Sequence, residues 1–520
     1  MRKSGSATRS ARIALGTALG AGLAIAVVAS AVAADPTPHQ GPTAGGTTVT
    51  VVSARFTAIT TGGTHSVAIG SDGKTYAWGG GTAGQLGNGS NTSSGTPVVV
   101  TRPTGTAADF RFTAVDAGEE HSLGLGNDGN VYAWGADGNG TVANIPTAVT
   151  PPADVPATFA FTAISTGGSH SLALGNNGKI YAWGSGSGGR LGNGSSADSS
   201  TLVQVTLPFG APSSYAFTAI SAGGSHSLAI GEDGLVYAWG VGADGQLGDG
   251  SNSNRDVPGS ATVPVGTPVT FDFTAISAGG DYSLAIGEDG KAYSWGADGD
   301  GQLGNGAAAS SNVPTAVTTP AGAPSTFAVT AISAGGSHSL AIGNNGETYS
   351  WGLDGNEQLG NGATGDSDVP TAVTTPAGVP STFAATAISA GFVQSFAIGN
   401  DDKLYGWGYN GFGTGSLAAG PDLAANVPTP TLSANFAVSE VTFDGDAGTN
   451  LAQTGSGATV DTPAHAAGPV DVVVSSTLRA GTTDTSITAT ETYSDGFTYT
   501  GPSGTALPEI TESEPLPVTG

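Results

Sequence analysis

Seven tryptophans divide most of the chain into near-equal segments. Successive members lie 56, 49, 56, 56, 56 and 56 residues apart: Trp78, Trp134, Trp183, Trp239, Trp295, Trp351 and Trp407. Each belongs to a version of one unit, of which the fourth reads FTAISAGGSHSLAIGEDGLVYAWG over residues 217–240. Self-similarity at a fixed period of this length is typical of solenoids and propellers. The repeat therefore restricts the fold more than any other feature of the chain.

Each unit contains about four short strand patterns. In the fourth unit these are FTAIS, HSLAIG, LVYAWG and a later run rich in Val and Pro. Glu-Asp-Gly or Asn-Asn-Gly joins the second pattern to the third, which predicts a hairpin turn because Gly and Asn accept positive φ. Four antiparallel strands make one propeller blade, so the chain is predicted to be all-β, with a seven-bladed β-propeller. Large and small residues alternate along the strands, which predicts that bulky blade faces pack on small ones and bury the tryptophans.

The repeat resembles that of the regulator of chromosome condensation family. The residues that carry the resemblance are G-G-x-H-S-L-A-I-G-x-D-G-x-x-Y-x-W-G, followed by G-Q-L-G-x-G, and they extend over roughly residues 53–432. The resemblance implies a seven-bladed propeller. The second unit departs from it by having Ala136–Ala143 in place of the Gln-Leu-Gly segment, and the seventh has Gly391-Phe392-Val393-Gln394 in place of Gly-Gly-Ser-His.

Five histidines occupy one position of the repeat: His65, His121, His170, His226 and His338. A catalytic or metal site is one interpretation of such a set. A structural role between blades is the other, and we favour it because the fold would spread these side chains around a ring. Tyr282 and Gln394 replace the histidine in the remaining two units, and no carboxylate or nucleophile recurs beside it.

Few other patterns point to chemistry. Asp298-Gly299-Asp300-Gly301 resembles the start of a calcium loop but lacks the later acidic ligand, and Asp-Gly is also common in turns. A calcium site therefore stays an open alternative to a turn. The glycine-rich stretches do not have the spacing of phosphate-binding loops, and no G-x-S-x-G elbow occurs. The sequence thus predicts no enzyme, no catalytic or metal-binding residue and no cofactor.

Residues 1–33 have the pattern of a signal peptide. A basic leader precedes the apolar run Ile13–Val28, and Ala31-Val32-Ala33 fits a cleavage site. Cleavage there would leave 10 Lys and Arg against 40 Asp and Glu, a formal charge of −30. Such acidity disfavours nucleic acid and anionic lipid as partners. The chain contains no cysteine, and no second apolar run is long enough to span a bilayer.

Residues 433–501 predict a small immunoglobulin-like β-sandwich. The segments T-P-A-H-A-A-G-P-V-D-V-V-V and F-T-Y resemble IPT/TIG modules, and His465 lies in the first of them, where we expect a structural role. Such modules begin with a strand that is missing here, and GPTAGGTTVTVV at residues 41–52 matches it. Residues 34–52 are therefore predicted to be its first strand, with 46–51 paired to 457–462 and the propeller inserted between. The alternative is that 47–52 closes the propeller beside the strand of Trp407.

Residues 502–520 form an acidic stalk that ends in Leu516-Pro517-Val518-Thr519-Gly520. This motif resembles the signal that sortase transpeptidases cleave between Thr and Gly before joining the protein to peptidoglycan. The apolar segment and basic tail that usually follow are missing, so the sequence is either truncated there or not anchored.

The function predicted from these features is that of an exported, cell-wall-anchored monomer of a Gram-positive bacterium. Its propeller would bind a surface protein or carbohydrate whose identity is unknown. A secreted enzyme inhibitor or an extracellular enzyme is the alternative, since secreted branches of the family bind proteins, including enzymes that they inhibit. Nucleotide exchange on a small GTPase, known in the eukaryotic branch, is disfavoured because an exported protein would not meet a cytosolic partner.

Overall fold

The structure is a computed structural model that describes residues 19–20, 23–24, 36–136, 142–411, 427–454, 457–480 and 483–500. Strands dominate these residues, and the helix that they contain is a single 3-10 turn at Ser187–Gly189. Two short strands, Leu19–Gly20 and Leu23–Ala24, pair with each other. The described residues form two compact units: residues within Arg55–Asn435 make up most of the first, and the second joins residues 36–54 to residues 436–478 and 484–500.

The first unit consists of repeated sets of four consecutive strands, which we number repeats 1 to 7. Their bounds in the first four repeats are Phe56–Thr61, His65–Gly70, Thr75–Gly79 and Ser94–Val99; Phe112–Ala117, His121–Gly126, Val131–Ala136 and Val142–Ala148; Phe161–Thr166, His170–Gly175, Ile180–Gly184 and Ser199–Gln204; Phe217–Ala222, His226–Gly231, Val236–Gly240 and Arg255–Ser260. Those of the last three are Phe273–Ala278, Tyr282–Gly287, Ala292–Gly296 and Ser311–Ala316; Val329–Ala334, His338–Gly343, Thr348–Gly352 and Ser367–Ala372; Ala385–Ala390, Gln394–Gly399, Leu404–Gly408 and Val427–Phe443.

Each set of strands pairs antiparallel in chain order. In repeat 4, Ser227 lies opposite Trp239, and the short turn between these strands has Gly234 at φ +79°. Only residues that tolerate positive φ fit such a turn, which explains the Gly at this position. The predicted all-β, propeller-like fold is thus confirmed.

The second strand of every repeat is buried on both faces. All six residues of His226–Gly231 are buried, and the same holds for the corresponding strand of each other repeat. Its two faces carry different side chains, with His226, Leu228 and Ile230 on one and Ser227 and Ala229 on the other. Burial of both faces means that every repeat packs against a repeat on each side, and this packing stabilises the unit through the apolar surface it removes from water.

The second unit contains two sheets around one apolar core. In one sheet, Gln40–Pro42 pairs parallel with the end of Thr483–Thr500. The same sheet contains Gly468–Ala480 and the end of Val427–Phe443. The short strand Asp446–Ala447 pairs antiparallel with the end of Val427–Phe443. The other sheet has the order Thr449–Gln453, Gly457–Asp461, Thr48–Val52. Buried valines and aromatic residues from both sheets form the core: Val49, Val51, Val441, Phe443, Val460, Val472, Val474, Phe497 and Tyr499 among them.

The pairing predicted for the strand near the N-terminus is present. Thr48 lies opposite Asp461 and Thr50 opposite Thr459, in antiparallel register, with Val49 and Val51 facing the core. The strand beside Leu404–Gly408 is instead the one that starts at Val427, whose residue Thr431 lies opposite Gly406. Residues 48–52 therefore do not join the repeat of Trp407. The parallel pairing of Gln40–Pro42 is an addition that the sequence did not suggest.

Within the described ranges, no helix combines the length and hydropathy that a bilayer crossing requires.

Candidate functional site

The repeated histidines link neighbouring repeats through serine hydroxyls. Nε2 of His226 lies 2.8 Å from Oγ of Ser283 in the next repeat, and His65, His121, His170 and His338 make the same contact with Ser122, Ser171, Ser227 and Ser395 at 2.7–2.9 Å. Oγ of Ser283 also donates to the backbone carbonyl of Gln246, at 2.9 Å. Because a hydroxyl has one proton to donate, the imidazole Nε2 carries the hydrogen and Ser283 accepts it.

The two repeats without histidine replace this link with other chemistry. The hydroxyl of Tyr282 donates to the backbone carbonyl of His338 and lies 2.9 Å from Oγ of Ser339. In repeat 7, the side-chain amide of Gln394 donates to Oγ1 of Thr61 at 3.0 Å and to the carbonyl of Gly62 at 3.1 Å, so repeat 7 is bonded to repeat 1. Every succession of repeats therefore has a buried polar link at this position.

Burial keeps these imidazoles uncharged. It lowers the pKa of His226 to about 4 and that of His65 and His338 to about 3, against an ordinary value of 6.5. A neutral ring that donates from Nε2 and is closed off from solvent is poorly suited to proton transfer with a substrate. The histidines thus hold repeats together in this geometry. Across the described ranges, no group of three or more His, Cys, Asp or Glu side chains could hold a metal ion.

The tryptophans lie buried at the same junctions, with at most 5% of each side chain exposed. Nε1 of Trp239 donates to the carbonyl of Arg190 at 2.9 Å, and Trp134, Trp295, Trp351 and Trp407 bond to the equivalent carbonyls of Gln85, Gln246, Gln302 and Gln358. The Gln-Leu-Gly segment of one repeat therefore presents its first carbonyl to the indole and serine of the next. These rings do not form a ligand-stacking row.

The Asp-Gly loop that resembled a calcium site is a turn in the structure. Asp298 is buried, and its two carboxylate oxygens accept backbone N–H bonds from Leu303, at 3.0 Å, and Ala309, at 3.2 Å. Asp354 makes the equivalent bonds in repeat 6, to Leu359 and Gly365. Burial raises the pKa of both carboxyls. Each of these carboxylates therefore accepts hydrogen bonds from the backbone of its own loop.

A shallow cavity of about 130 Å³ lies where the first strands of all repeats end. Its wall is formed by paired glycines, such as Gly223 and Gly224, and a backbone bond from each pair to the next connects them, for example Gly224 N to Gly279 O at 3.0 Å. A Cβ on Gly223 would lie 2.5 Å from Gly279 O and 2.7 Å from the His226 ring, so a side chain does not fit there. Glycine is required by this close approach.

Two side chains project from this glycine wall, because Glu119 and Phe392 replace the second glycine in repeats 2 and 7. Both are exposed, and 61% of Phe392 is accessible to solvent. The backbone N–H of Phe392 donates to Gly62 O at 3.1 Å, which continues the glycine bonds from repeat 7 to repeat 1. At the second glycine position, a side chain thus reaches the cavity rim in these two repeats.

The opposite ends of the strands carry the loops that lead from the fourth strand of one repeat to the first strand of the next. Phe209, Val265 and Val269 lie on two successive loops of this kind and are 108%, 95% and 86% exposed. We call these three residues the loop-tip patch. Phe209 and Val265 are one repeat apart and occupy equivalent turns, which are closed by bonds from Ala211 N to Pro208 O and from Thr267 N to Pro264 O. Contiguous exposed apolar surface marks interaction sites in soluble proteins, whereas apolar side chains that are exposed singly are ordinary.

Comparison with known proteins agrees with this geometry. The RCC1-like domain family matches residues 36–385. The chain belongs to the RCC1-like domain family. It is 34% identical over 195 residues to the ultraviolet-B receptor UVR8 of Arabidopsis thaliana, covering 37% of this chain and 42% of the receptor. It is 31% identical over 368 residues to a bifunctional serine/threonine-protein kinase/NEDD4-like E3 ubiquitin-protein ligase of Dictyostelium discoideum, covering 68% of this chain and 18% of that protein.

Two solved structures share this fold. Prp20p from Saccharomyces cerevisiae superposes with a TM-score of 0.55 at 23% identity, covering 67% of this chain and 84% of that one. Human WBSCR16 gives a TM-score of 0.55 at 22% identity, covering 64% and 84%. The chain spans less than half the length of these curated relatives: 42% of the receptor and 18% of the Dictyostelium discoideum protein.

The remaining predicted residues lie apart from the RCC1-like repeats or outside the described ranges. His465 belongs to the second unit, where its ring stacks on Tyr499 at 5.1 Å between centroids. The sortase-like motif Leu516–Gly520 lies outside the described residues. The sequence showed Phe392 as a departure from the repeat but gave it no role, and Glu119 and the loop-tip patch were not singled out. Glu119 is also a departure from the repeat, so an alignment of the seven repeats with one another reveals it.

Proposed function

We propose that this chain is an exported surface protein that binds another protein through the loop-tip patch. One observation carries the proposal: Phe209 and Val265 present fully exposed apolar side chains at the same position of successive repeats. Burying a side chain of this size contributes about 1.5–3 kcal/mol, so two on one surface supply much of the free energy of a modest complex. The export pattern of residues 1–33 and the LPVTG motif support a location at the cell wall.

The family supports a protein rather than a small substrate as partner. Prp20p binds Gsp1p and histones, and yeast RCC1 (Prp20) has been crystallised bound to Kap60. We do not carry these partners over, because the likeness is below 25% identity and the chain is acidic and carries a signal-peptide pattern. A role as a protein-binding platform without catalysis is consistent both with the family and with the acidic, exported character that we propose for this chain.

We also propose how the chain is organised. A seven-bladed propeller is supported by the bonds from repeat 7 to repeat 1, Gln394 to Thr61 and Phe392 to Gly62. An immunoglobulin-like module split by the propeller is supported by the antiparallel pairing of Thr48–Val52 with Gly457–Asp461. In this organisation residues 34–52 and 433–501 belong together and residues 53–432 are inserted.

A cross-linking capture experiment tests the binding surface. The mature chain, tagged and added to cells or to their wall fraction, is cross-linked and its partners are identified by mass spectrometry. The F209S/V265S variant should lose its partners, because both apolar anchors are removed. The matched control is F392S, which removes an exposed apolar side chain from the opposite end of the repeats. Loss of partners with F392S and their retention with F209S/V265S would assign binding to the glycine-walled cavity instead.

A further inference from the structure

Two cavities lie at successive junctions of repeats 5, 6 and 7. The first, of about 170 Å³, is lined by Phe327, Val329, Tyr349 and Trp351 of repeat 6 and by residues of repeat 5 such as Ala292. The second, of about 140 Å³, is lined by the equivalent residues of repeat 7, Phe383, Ala385, Tyr405 and Trp407. A cavity of about 150 Å³ is large enough to hold a benzene ring. The volumes of both cavities therefore suit one ring, and their linings also include polar residues such as Lys291 in the first and Glu347 in the second.

The cavities coincide with departures from the repeat. The first strand begins with phenylalanine in repeats 1 to 5, and these side chains are buried: Phe56, Phe112, Phe161, Phe217 and Phe273. Repeat 6 has Val329 at this position and repeat 7 has Ala385. A smaller side chain leaves volume unfilled unless the surroundings collapse onto it.

The phenylalanine ring of the other repeats shows what the space would hold. In repeat 5, Phe273 lies 5.3 Å from Phe271 and 6.1 Å from Tyr293, edge to face with both, and 6.4 Å from Trp295. The first cavity is walled by the counterparts of these three neighbours, Phe327, Tyr349 and Trp351. Two of them keep their arrangement, since Phe327 and Tyr349 lie 5.5 Å apart at 89°, compared with 5.6 Å and 79° for Phe271 and Tyr293.

We propose that the cavity beneath Val329 binds a small monocyclic aromatic molecule. Its ring takes the place that the phenylalanine side chain occupies in repeat 5 and completes the edge-to-face contacts with Phe327 and Tyr349, an arrangement that aromatic rings prefer. The mouth of the cavity is lined by Thr318 and Ser325, whose hydroxyls suit a short neutral polar substituent such as a hydroxymethyl group. The cavity beneath Ala385 has the same aromatic wall and provides a second site of this kind. The inference does not depend on the proposed protein partner.

Fluorine NMR with 4-fluorobenzyl alcohol tests the proposal. The mature chain should broaden the probe's signal at millimolar concentration, and unlabelled benzyl alcohol should reverse the broadening. Cyclohexylmethanol, which has similar size but no aromatic ring, should compete at least several-fold less well. Absence of broadening by the wild-type chain would overturn the proposal.

Substitutions that restore the repeat locate the site. V329F should abolish binding to the first cavity, A385F binding to the second, and the double variant should reduce the broadening at least tenfold. V329F should also raise the melting temperature, because the new ring fills a cavity and adopts the packing of Phe273. A308F is the matched control: it adds the same ring at an exposed alanine that lines neither cavity and should leave binding unchanged. Broadening that persists in the V329F/A385F chain would overturn the assignment, and V329L, which fills the space partly, provides a milder test if V329F does not fold.

Discussion

Nε2 of His226 lies 2.8 Å from Oγ of Ser283, and this contact joins repeat 4 to repeat 5. Equivalent links recur around the first unit with histidine or glutamine as the donor, and Tyr282 donates to the backbone carbonyl of His338. A histidine that recurs in five of the seven repeats thereby holds neighbouring sheets together. The candidate binding residues lie at positions where the repeats differ in sequence.

Trp239→Ala should lower the free energy of unfolding by about 3–5 kcal/mol. The side chain is completely buried, and its indole N–H bonds to the Arg190 carbonyl of the preceding repeat, so the substitution removes apolar contacts and leaves that carbonyl with a partner fewer. Chemical denaturation followed by circular dichroism measures the change. Phe209→Ala, at a fully exposed position, should change stability by less than about 0.5 kcal/mol. Equal effects of the two variants would contradict the packing described for the repeats.

His226→Gln should alter how stability depends on pH. The folded state lowers the pKa of His226 from 6.5 to about 4, so the folded chain binds fewer protons than the unfolded chain in this window. The stabilisation is complete above pH 6.5 and is lost as the pH falls toward 4, by up to about 1.4 kcal/mol per pH unit for one histidine. Glutamine serves at this position in repeat 7, so the variant should lose about 1–2 kcal/mol at pH 7.5 and little or nothing relative to wild type at pH 5.

Denaturation midpoints at pH 7.5 and pH 5.0 measure this difference. His39→Gln provides the control, because it makes the same substitution at an exposed histidine. A His226→Gln variant with the same pH dependence as wild type would show that His226 is not the neutral, buried donor described here.

Asp116→Ser should stabilise the protein at high pH relative to low pH. Asp116 is completely buried and accepts bonds from Thr60 Oγ1 at 2.9 Å and from the backbone N–H groups of Ala117 and Thr166. Burial raises its pKa from 3.8 to about 7, although these bonds partly oppose the rise. Because the folded-state pKa is raised, this carboxyl stabilises the fold below pH 3.8 and that contribution is lost as the pH rises through 7.

Serine occupies this position in repeats 3 to 7, where it accepts the same backbone bond, as Ser165 Oγ does from Ala222 N. The stability of Asp116→Ser relative to wild type should therefore increase by roughly 1–4 kcal/mol between pH 4 and pH 8. Denaturant titrations across this range give the value. A difference between the two chains that stays constant with pH would mean that Asp116 titrates normally in the folded state.

Deleting residues 38–51 should unfold the second unit and leave the repeats folded. The deletion removes Val49 and Val51 from the core and the partner of Gly457–Asp461. All seven tryptophans lie between residues 78 and 407, so their fluorescence reports on the repeats alone. Hydrogen exchange should show loss of protection over residues 457–500 with wild-type fluorescence. A second unit that remains protected would show that the strand is not needed for its core.

The sequence predicted the repeat architecture because residues with the same structural role recur at nearly constant intervals along the chain. Each Gly-Gly, His and Trp recurs at a fixed distance, and each has one physical requirement: close backbone approach for Gly223, a buried polar link for His226, a buried indole for Trp239. The pairing of Thr48–Val52 with Gly457–Asp461 was also predictable, because the alternation of valine and threonine was left without a partner nearby.

The candidate sites could not be predicted in the same way, because they depend on departures from the pattern rather than on the pattern. Phe209 and Val265 lie in loops, where an apolar residue gives no periodic signal of its burial. Val329 is an ordinary strand residue when its sequence is examined alone. Only the position of the neighbouring rings shows that a larger side chain would fit there. Asp116 resembles an exposed carboxylate until its burial is known.

The link between Gln394 and Thr61 also has a consequence for assembly. Near-identical repeats carry a hazard of misassembly, since one repeat presents almost the same edge as the next and a ring closed one repeat early would satisfy most contacts. Gln394 bonds to a threonine at a position where repeat 2 and repeats 4 to 7 have alanine, and Phe396, where other repeats have leucine or valine, packs edge to face on Trp78 at 5.9 Å. The contacts between repeats 7 and 1 therefore disfavour pairing of repeat 7 with repeat 2, which lacks the hydroxyl that Gln394 bonds.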